Sequence, residues 1–434
     1  MKFKASVQTF LQKLFISVQL YIDNGLANHA AASAYGFLLS LAPMVLIIVL
    51  FVFYVFKPSQ QAIASLVSGI PFLTSIFDDQ WIAGNFLAAS KPGISGIISV
   101  LSIFWAARIL GLSIRRGLKV IFPAGKNRNP VLSTLVVVAT DAAVLFFILV
   151  VIVSSRAALY LYRLLNVPDT IFAFKGFFSF MALGVVSFFA YLFVPANSPR
   201  RFSAFQGALF CSLAFCCTNM ILEIILDRSA LNFLYGTLGN LIVLLINVYF
   251  FFTFFFMGAQ MASVTDSFDA LLFLKIRQIR IRAEAKNNAE APSGQMARPD
   301  FFTRFFSPSE GSLKKYLRSY HKNDIIISQG EAGDAIYYLI EGEVDIVLSV
   351  QQDMERSAGI MAAGSFFGEM GYLLSEDRSA TIRAKTGVSV FVLPPPLFDT
   401  ILRYDTSLNR DIIEHMSRRL KSATDQIITL KSEC

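Results

Sequence analysis

Two hydropathy patterns divide this 434-residue chain. Up to Thr265 it runs as long apolar stretches with few ionised side chains. Beyond Lys322 it breaks into short β-rich runs separated by turn residues. A membrane-crossing helix needs about 20 apolar residues. Six stretches meet that need: 30–56, 93–112, 131–155, 176–199, 202–222 and 229–265. Arg108 interrupts the second and Asp141 the third. Ahead of them Phe3, Val7, Phe10, Leu11, Leu14 and Val18 recur at helical spacing. That spacing predicts an amphipathic helix along the inner membrane surface, and Gln12 and Lys13 break any leader-like apolar core.

Composition agrees with the pattern. Hydrophobic residues make up 55% and charged residues 16%, and the mean hydropathy is +0.58. A soluble domain carries about 25% charged residues. The whole net charge of +8 lies before residue 270, where it reads as cationic loops rather than a nucleic-acid surface. With the N-terminus inside, fifteen cations collect on the inner side against six on the outer. Both termini are therefore expected in the cytoplasm of an inner-membrane, multi-pass protein. Four cysteines, three of them within one apolar run, form no disulfide framework and no metal-ligand spacing.

The expected organisation is an amphipathic segment at 1–29, a six-span α-helical membrane bundle at 30–265, and a juxtamembrane helix with linker at 266–309. A soluble β-barrel or jelly-roll domain of cupin-like type, with flanking helices, follows at 310–434. Ionisable groups inside spans are costly and therefore candidates for function. Arg108 and Asp141 are such a pair, read either as a buried ion pair or as part of a pathway. Arg108, Arg115 and Lys119 share a helix face suited to acidic lipid. Asn219, Glu223 and Asp227 share another face, either lining an aqueous vestibule or capping a helix end. No phosphate loop, metal-spaced His pair or nucleophile elbow occurs, so no catalysis, no cofactor and no metal are expected.

Several runs in this half resemble the YihY/BrkB family of bacterial inner-membrane proteins. They are 31–43 (AASAYGFLLSLAP), Trp105-Ala106-Ala107-Arg108 with Arg115-Arg116-Gly117-Leu118, Tyr235-Gly236-Thr237-Leu238, and Phe256-Met257-Gly258-Ala259-Gln260. The resemblance covers roughly 5–265 and implies six spans with both ends inside. Transport has been suggested for such proteins.

In the soluble half the clearest strand runs are 325–327, 336–340, 344–348, 381–383 and 390–393. Their spacing argues for a small jelly-roll or barrel. Gly330, Gly333 and Gly342 are expected in turns that need a positive φ. The chemistry concentrates in 364–381, GSFFGEMGYLLSEDRSAT. There Gly368 leads into a short helical turn, Glu369 offers an acceptor, and Arg378 offers a bidentate cation beside small residues. Such a set suits a ligand with hydroxyl and phosphate on one face.

This run resembles the phosphate-binding cassette of cyclic nucleotide-binding domains, and 376–386 is similar to the bacterial catabolite activator branch. Gly330-Glu331-Ala332-Gly333-Asp334 and 337–344 resemble the same family's earlier strand signature. The resemblance implies that Glu369 accepts from the ribose 2′-hydroxyl and that Arg378 neutralises the cyclic phosphate. Backbone groups at Gly368, Ser379 and Ala380 would complete the cradle, with Met370 beside it. The implied ligand is cAMP or cGMP.

Residues 407–430 read as one helix. Ile413, Met416, Leu420, Ala423, Ile427 and Leu430 step along it by three and four, the spacing of a coiled-coil seam. This predicts either a homodimer or a helix packed on its own barrel. Ala423 and Thr424 stand where the activator branch has two base-contacting hydroxyls, so only Thr424 keeps one. No helix-turn-helix follows, and no nucleic-acid partner is expected. The chain is thus expected to be a transporter or permeation protein controlled by a cyclic nucleotide. The alternative is a membrane-anchored receptor or scaffold without transport.

Overall fold

The computed structural model describes residues 2–39, 94–123, 173–195, 197–225, 237–290, 305–306, 312–349, 355–405, 408–410, 412–414 and 417. The chain divides into two compact units. One comprises Leu14–Asp266; the other joins Met1–Lys13 to Ser267–Cys434.

The helical unit follows the apolar stretches. Helix α1 (Lys2–Asp23) ends at a left-handed Gly25 (φ +61°), after which the chain is helical over 26–39. Helices α2 (Ile94–Ile121), α3 (Ala173–Phe193), α4 (Arg201–Ile225) and α5 (Thr237–Asp266) fall on the predicted spans two, four, five and six. Predicted span three, with Asp141, lies outside the described residues. Within those residues Arg201–Leu222 and Ile242–Asp266 are long and apolar enough to cross a membrane, and Phe180–Phe193 is a shorter apolar helix.

Small residues let α4 and α5 touch backbone to backbone. A Cβ on Gly258 would stand 2.6 Å from the carbonyl oxygen of Gly207 and 2.7 Å from the Tyr191 hydroxyl. Ala204, Ala208, Cys211, Ala259 and Ala262 line the same buried core, while Phe205, Leu209 and Leu213 point outward. Small inside and large apolar outside is how helices associate when the surrounding medium is hydrocarbon. Tyr191, buried with its ring against Phe255, donates to the Phe255 carbonyl at 2.7 Å, so its own hydroxyl is not orphaned.

The second unit is built on two four-stranded antiparallel sheets. Its strands are β1 (Leu317–Tyr320), β2 (Ile325–Ile327), β3 (Ile336–Glu341), β4 (Glu343–Ser349), β5 (Glu355–Ala362), β6 (Phe366–Phe367), β7 (Thr381–Ala384) and β8 (Val388–Leu393). The sheet orders are β1-β8-β3-β6 and β2-β7-β4-β5. Ile327, Leu339, Val344, Met361, Phe367, Ile382, Val388 and Val390 fill the space between them.

The other face of the first sheet is also covered. Helix α6 (Phe268–Glu290) buries Phe273 edge-on against Tyr338, Phe391 and Phe366, with ring centroids 5.2, 5.6 and 6.4 Å away. Its neighbours Leu271, Leu272 and Leu274 are buried too. A short helix α7 (Glu369–Leu374) and a longer α8 (Pro395–Tyr404) complete the unit. Arg277 of α6 pairs with Asp405, just beyond α8, at 3.1 Å with both side chains largely buried. Lys315 reaches Asp269 at 2.8 Å. The helix read from sequence as a juxtamembrane lead is therefore a core element of the β unit. It also runs on to Glu290, into the stretch expected to be linker.

Candidate functional site

The site forms where the β6–α7 corner meets the loop before β7. Gly368 caps α7 in the left-handed region, at φ +78°. A residue with a side chain is strained there, and a Cβ would also come within 2.8 Å of Arg378 Nη1. Glu369 follows as the first residue of α7 and is buried, with 6% of its surface exposed. Met370 and Ala380 are half-buried, and Ser379 is exposed.

Arg378 is buried to the same 6%. Its Nη1 donates to the Gly368 carbonyl at 2.7 Å and its Nη2 to the Ala335 carbonyl at 2.8 Å. The main chain beneath it is fixed in both directions: Arg378 N donates to Glu331 O at 3.0 Å, and Gly330 N to Arg378 O at 2.8 Å. The Tyr337 ring lies under the guanidinium, 5.9 Å from ring centroid to carbon, and stacks on Phe367 at 5.1 Å. Burial pushes the Tyr337 hydroxyl above the usual tyrosine range, and the nearby Tyr320 adds to the shift, so this ring stays neutral. A guanidinium carries five N–H donors, and two carbonyls engage one on each terminal nitrogen. The rest have no partner among the described residues. Taking a cation out of water without an anion is unfavourable, so the pocket is electrostatically ready for one.

Room for the guanidinium comes from glycine. A Cβ on Gly333 would stand 3.1 Å from Nη2, and one on Gly371 3.3 Å from Nη1. Gly333 does not have the positive φ expected of it; Gly330 (+77°) and Gly342 (+90°) do. Gly333 is required for space, not for backbone conformation.

The structure thus brings together Gly368, Glu369 and Arg378, with Ser379 and Ala380 following on the chain. Sequence reasoning missed the Gly371, Ala335 and Tyr337 contacts. The Gly371 spacing was visible inside the cassette, whereas a carbonyl acceptor and a ring below a cation leave no local pattern. Thr424 lies outside the described residues. The C-terminal helix is described at 408–410, 412–414 and 417, where Ile413 is exposed and Leu408 buried. Of the membrane candidates, Arg108 is exposed on α2 and Asn219 half-buried on α4. Glu223 is one turn further along α4, and Asp141 and Asp227 lie outside the described residues. No metal-holding cluster of His, Cys, Asp and Glu occurs among the described residues.

Residues 17–271, more than half of the chain, match the family model for Virulence factor BrkB. The chain belongs to the BrkB family. This BrkB-family chain also carries a cyclic nucleotide-binding domain, matched over 317–405, which spans β1 to the residue after α8. That match encloses every described part of the Arg378 pocket. The same region is similar to the cAMP-activated global transcriptional regulators CRP of Salmonella typhimurium and of Pasteurella multocida. The first is 25% identical over 26% of this chain and 54% of the relative; the second is 30% identical over 26% and 56%. The chain spans about half the length of these relatives. A solved structure of Thermus thermophilus catabolite activator protein is similar at 25% identity, over 26% of this chain and 54% of that one, with a TM-score of 0.26.

Proposed function

We propose that this BrkB-family membrane protein is a transporter or permeation protein regulated by cAMP or cGMP from the cytoplasm. The bundle has six spans and both termini inside. The pocket is read as follows: Arg378 binds the cyclic phosphate with its spare donors, and Glu369 accepts from the ribose 2′-hydroxyl. Backbone at Gly368, Ser379 and Ala380 closes the cradle. The reading assigns no catalytic step to the chain.

One observation carries the regulatory part. Phe273, in the helix that follows the last span after a single residue, Ser267, sits in the same aromatic cluster as Phe366, two residues before Gly368. Phe366 also packs on Phe398 of α8 at 6.2 Å, and Tyr372 of α7 meets Phe398 at 5.8 Å. A ligand that reshapes the Gly368–Leu374 segment therefore works directly on the packing of α6. Moving a two-state equilibrium from mostly off to mostly on takes about 10⁴-fold preference for one state, near 5.5 kcal/mol. Charge-assisted hydrogen bonds from one guanidinium supply about 1.5–3 kcal/mol each before other costs, so graded modulation is expected.

The test is flux in liposomes holding the full chain, measured with and without cyclic nucleotide on the sensor side. Nucleotide-dependent flux of a solute supports the reading. Tight nucleotide binding without flux of any tested solute replaces it with a membrane-anchored receptor or scaffold.

A further inference from the structure

Helix α1 wears its polarity inside out. Val7, Phe10, Leu11, Val18 and Ile22 fall within about 120° of arc at 3.6 residues per turn. All five are exposed, Phe10 by 50% and Ile22 by 69%. The buried positions of the helix, among residues 7–23, are Ile16 and two polar residues, Gln12, at 3% exposure, and Ser17. Their polar atoms are satisfied within the chain. Gln12 Nε2 donates to the Phe305 carbonyl at 2.7 Å, Gln8 Nε2 to the same carbonyl at 3.3 Å, and Ser17 Oγ to Met261 Sδ at 3.4 Å. A helix facing water would turn the amide out and the phenyl in. Here the protein takes the amide and leaves the phenyl to whatever lies outside.

Two further features identify that medium. Apolar exposure does not stop at α1: Met181, Val185 and Phe189 on α3 and Phe205, Leu209 and Leu213 on α4 are exposed in the same way. The helix is also basic at its start, with Lys2 and Lys4 and no acid before Asp23, whereas Lys13 is held within the chain, 5.3 Å from the centroid of the Phe268 ring. An apolar stripe on a basic helix is the pattern of an element lying in the headgroup–acyl boundary of an anionic bilayer. We infer that α1 is an interfacial lipid-binding helix. Its Val7–Phe10–Leu11–Val18–Ile22 stripe is sunk in the acyl region, and its Gln8 and Gln12 amides are turned to the chain. The inference rests on the membrane reading of the BrkB unit.

The test uses the full chain in vesicles of phosphatidylcholine and phosphatidylglycerol brominated on their acyl chains. Trp81→Phe and Trp105→Phe provide a silent background for single reporters: Phe10→Trp, Ile22→Trp, Leu213→Trp on α4, and His321→Trp, a position 99% exposed in the β unit. Variants are compared only where size-exclusion elution and thermal midpoint match the parent; Val18→Trp replaces any that fails. F10W and I22W are expected to emit to the blue and lose most of their emission to brominated lipid, with H321W unaffected. F10W quenching should weaken in pure phosphatidylcholine. Quenching of F10W and I22W by aqueous iodide instead overturns the inference. So does protection from both quenchers, because a protein segment or a second copy then covers the stripe. L213W separates the two levels: if lipid quenches L213W alone, the bundle is embedded and α1 is not interfacial. If L213W also escapes lipid, the membrane reading has failed.

Discussion

Arg378 Nη1 donates to the Gly368 carbonyl at 2.7 Å, so the cation of the cassette is held by the residue that caps α7. Position and charge are coupled there. Arg378→Ala is expected to lower affinity for cAMP and cGMP by about 100-fold or more, because charge-assisted bonds to phosphate vanish. Arg378→Lys should lose nearly as much, since a point charge cannot span the carbonyls and a phosphate together. Calorimetry on the full chain measures both. An unchanged affinity in either variant means the pocket is misassigned.

Gly333 and Gly330 provide a matched pair. Gly333→Ala needs no unusual φ, but its Cβ presses on Nη2 at 3.1 Å. Nucleotide affinity should fall several-fold while the thermal midpoint of the β unit barely moves. Gly330→Ala meets nothing within 4 Å but sits at φ +77°. It should cost about 1–2 kcal/mol of stability and leave affinity nearly intact. Equal effects of the two on affinity would refute the space argument.

Phe273→Ala removes a buried ring that meets three others. A loss of about 3–5 kcal/mol is expected in the unfolding transition of the β unit. Ile281→Ala, exposed on the same helix, should shift it by less than about 0.5 kcal/mol. Denaturant unfolding followed by near-ultraviolet dichroism separates them. Were α6 merely a tether, both would be silent.

Gly207 faces Gly258 across α4 and α5 with no room for a methyl group. Gly207→Ala should force the helices apart and cost about 1–3 kcal/mol. The expected readout is a lower thermal midpoint for the detergent-solubilised bundle, with nucleotide binding unchanged. Tolerance of G207A at full stability would contradict the backbone contact.

Arg383 clasps Glu355 through two 2.8 Å hydrogen bonds from β7 to the edge strand β5. The bonds hold the Glu355 carboxyl below the usual glutamate range. A depressed carboxylate contributes stability that is fully present above its unfolded pKa. That contribution is lost as pH falls through the lower folded value. Protection of the β5 amides, with the intrinsic pH dependence of exchange divided out, should therefore fall on acidification through that window, and Glu355→Gln should flatten the dependence. A pH profile identical in the variant would remove Glu355 as the cause.

Much of the fold was legible because its signals are local. Strands β2, β3, β4, β7 and β8 lie where apolar runs were read. Strand β5 was missed because it is an edge: of Glu355–Ala362 only Met361 is buried. Strand β1 is also an edge, and β6 is two residues long. None offers alternation to detect. At the site, Gly368, Glu369 and Arg378 were readable as a contiguous motif. The supports of Arg378 at Gly333, Ala335 and Tyr337 were not, since they approach from 41 to 45 residues upstream.

By itself, then, the sequence determined the two classes of solvent this chain suits, the helices that suit one and the strands that suit the other, and the two charged side chains of the cassette. Those follow from composition and spacing, which act over a few residues. Only the tertiary structure decided that α6 belongs to the β unit and that Gly333 serves space rather than φ. It alone showed that α1 turns its amides to the chain. Each of these depends on which surfaces meet across long separations, and close packing, not local pattern, selects them.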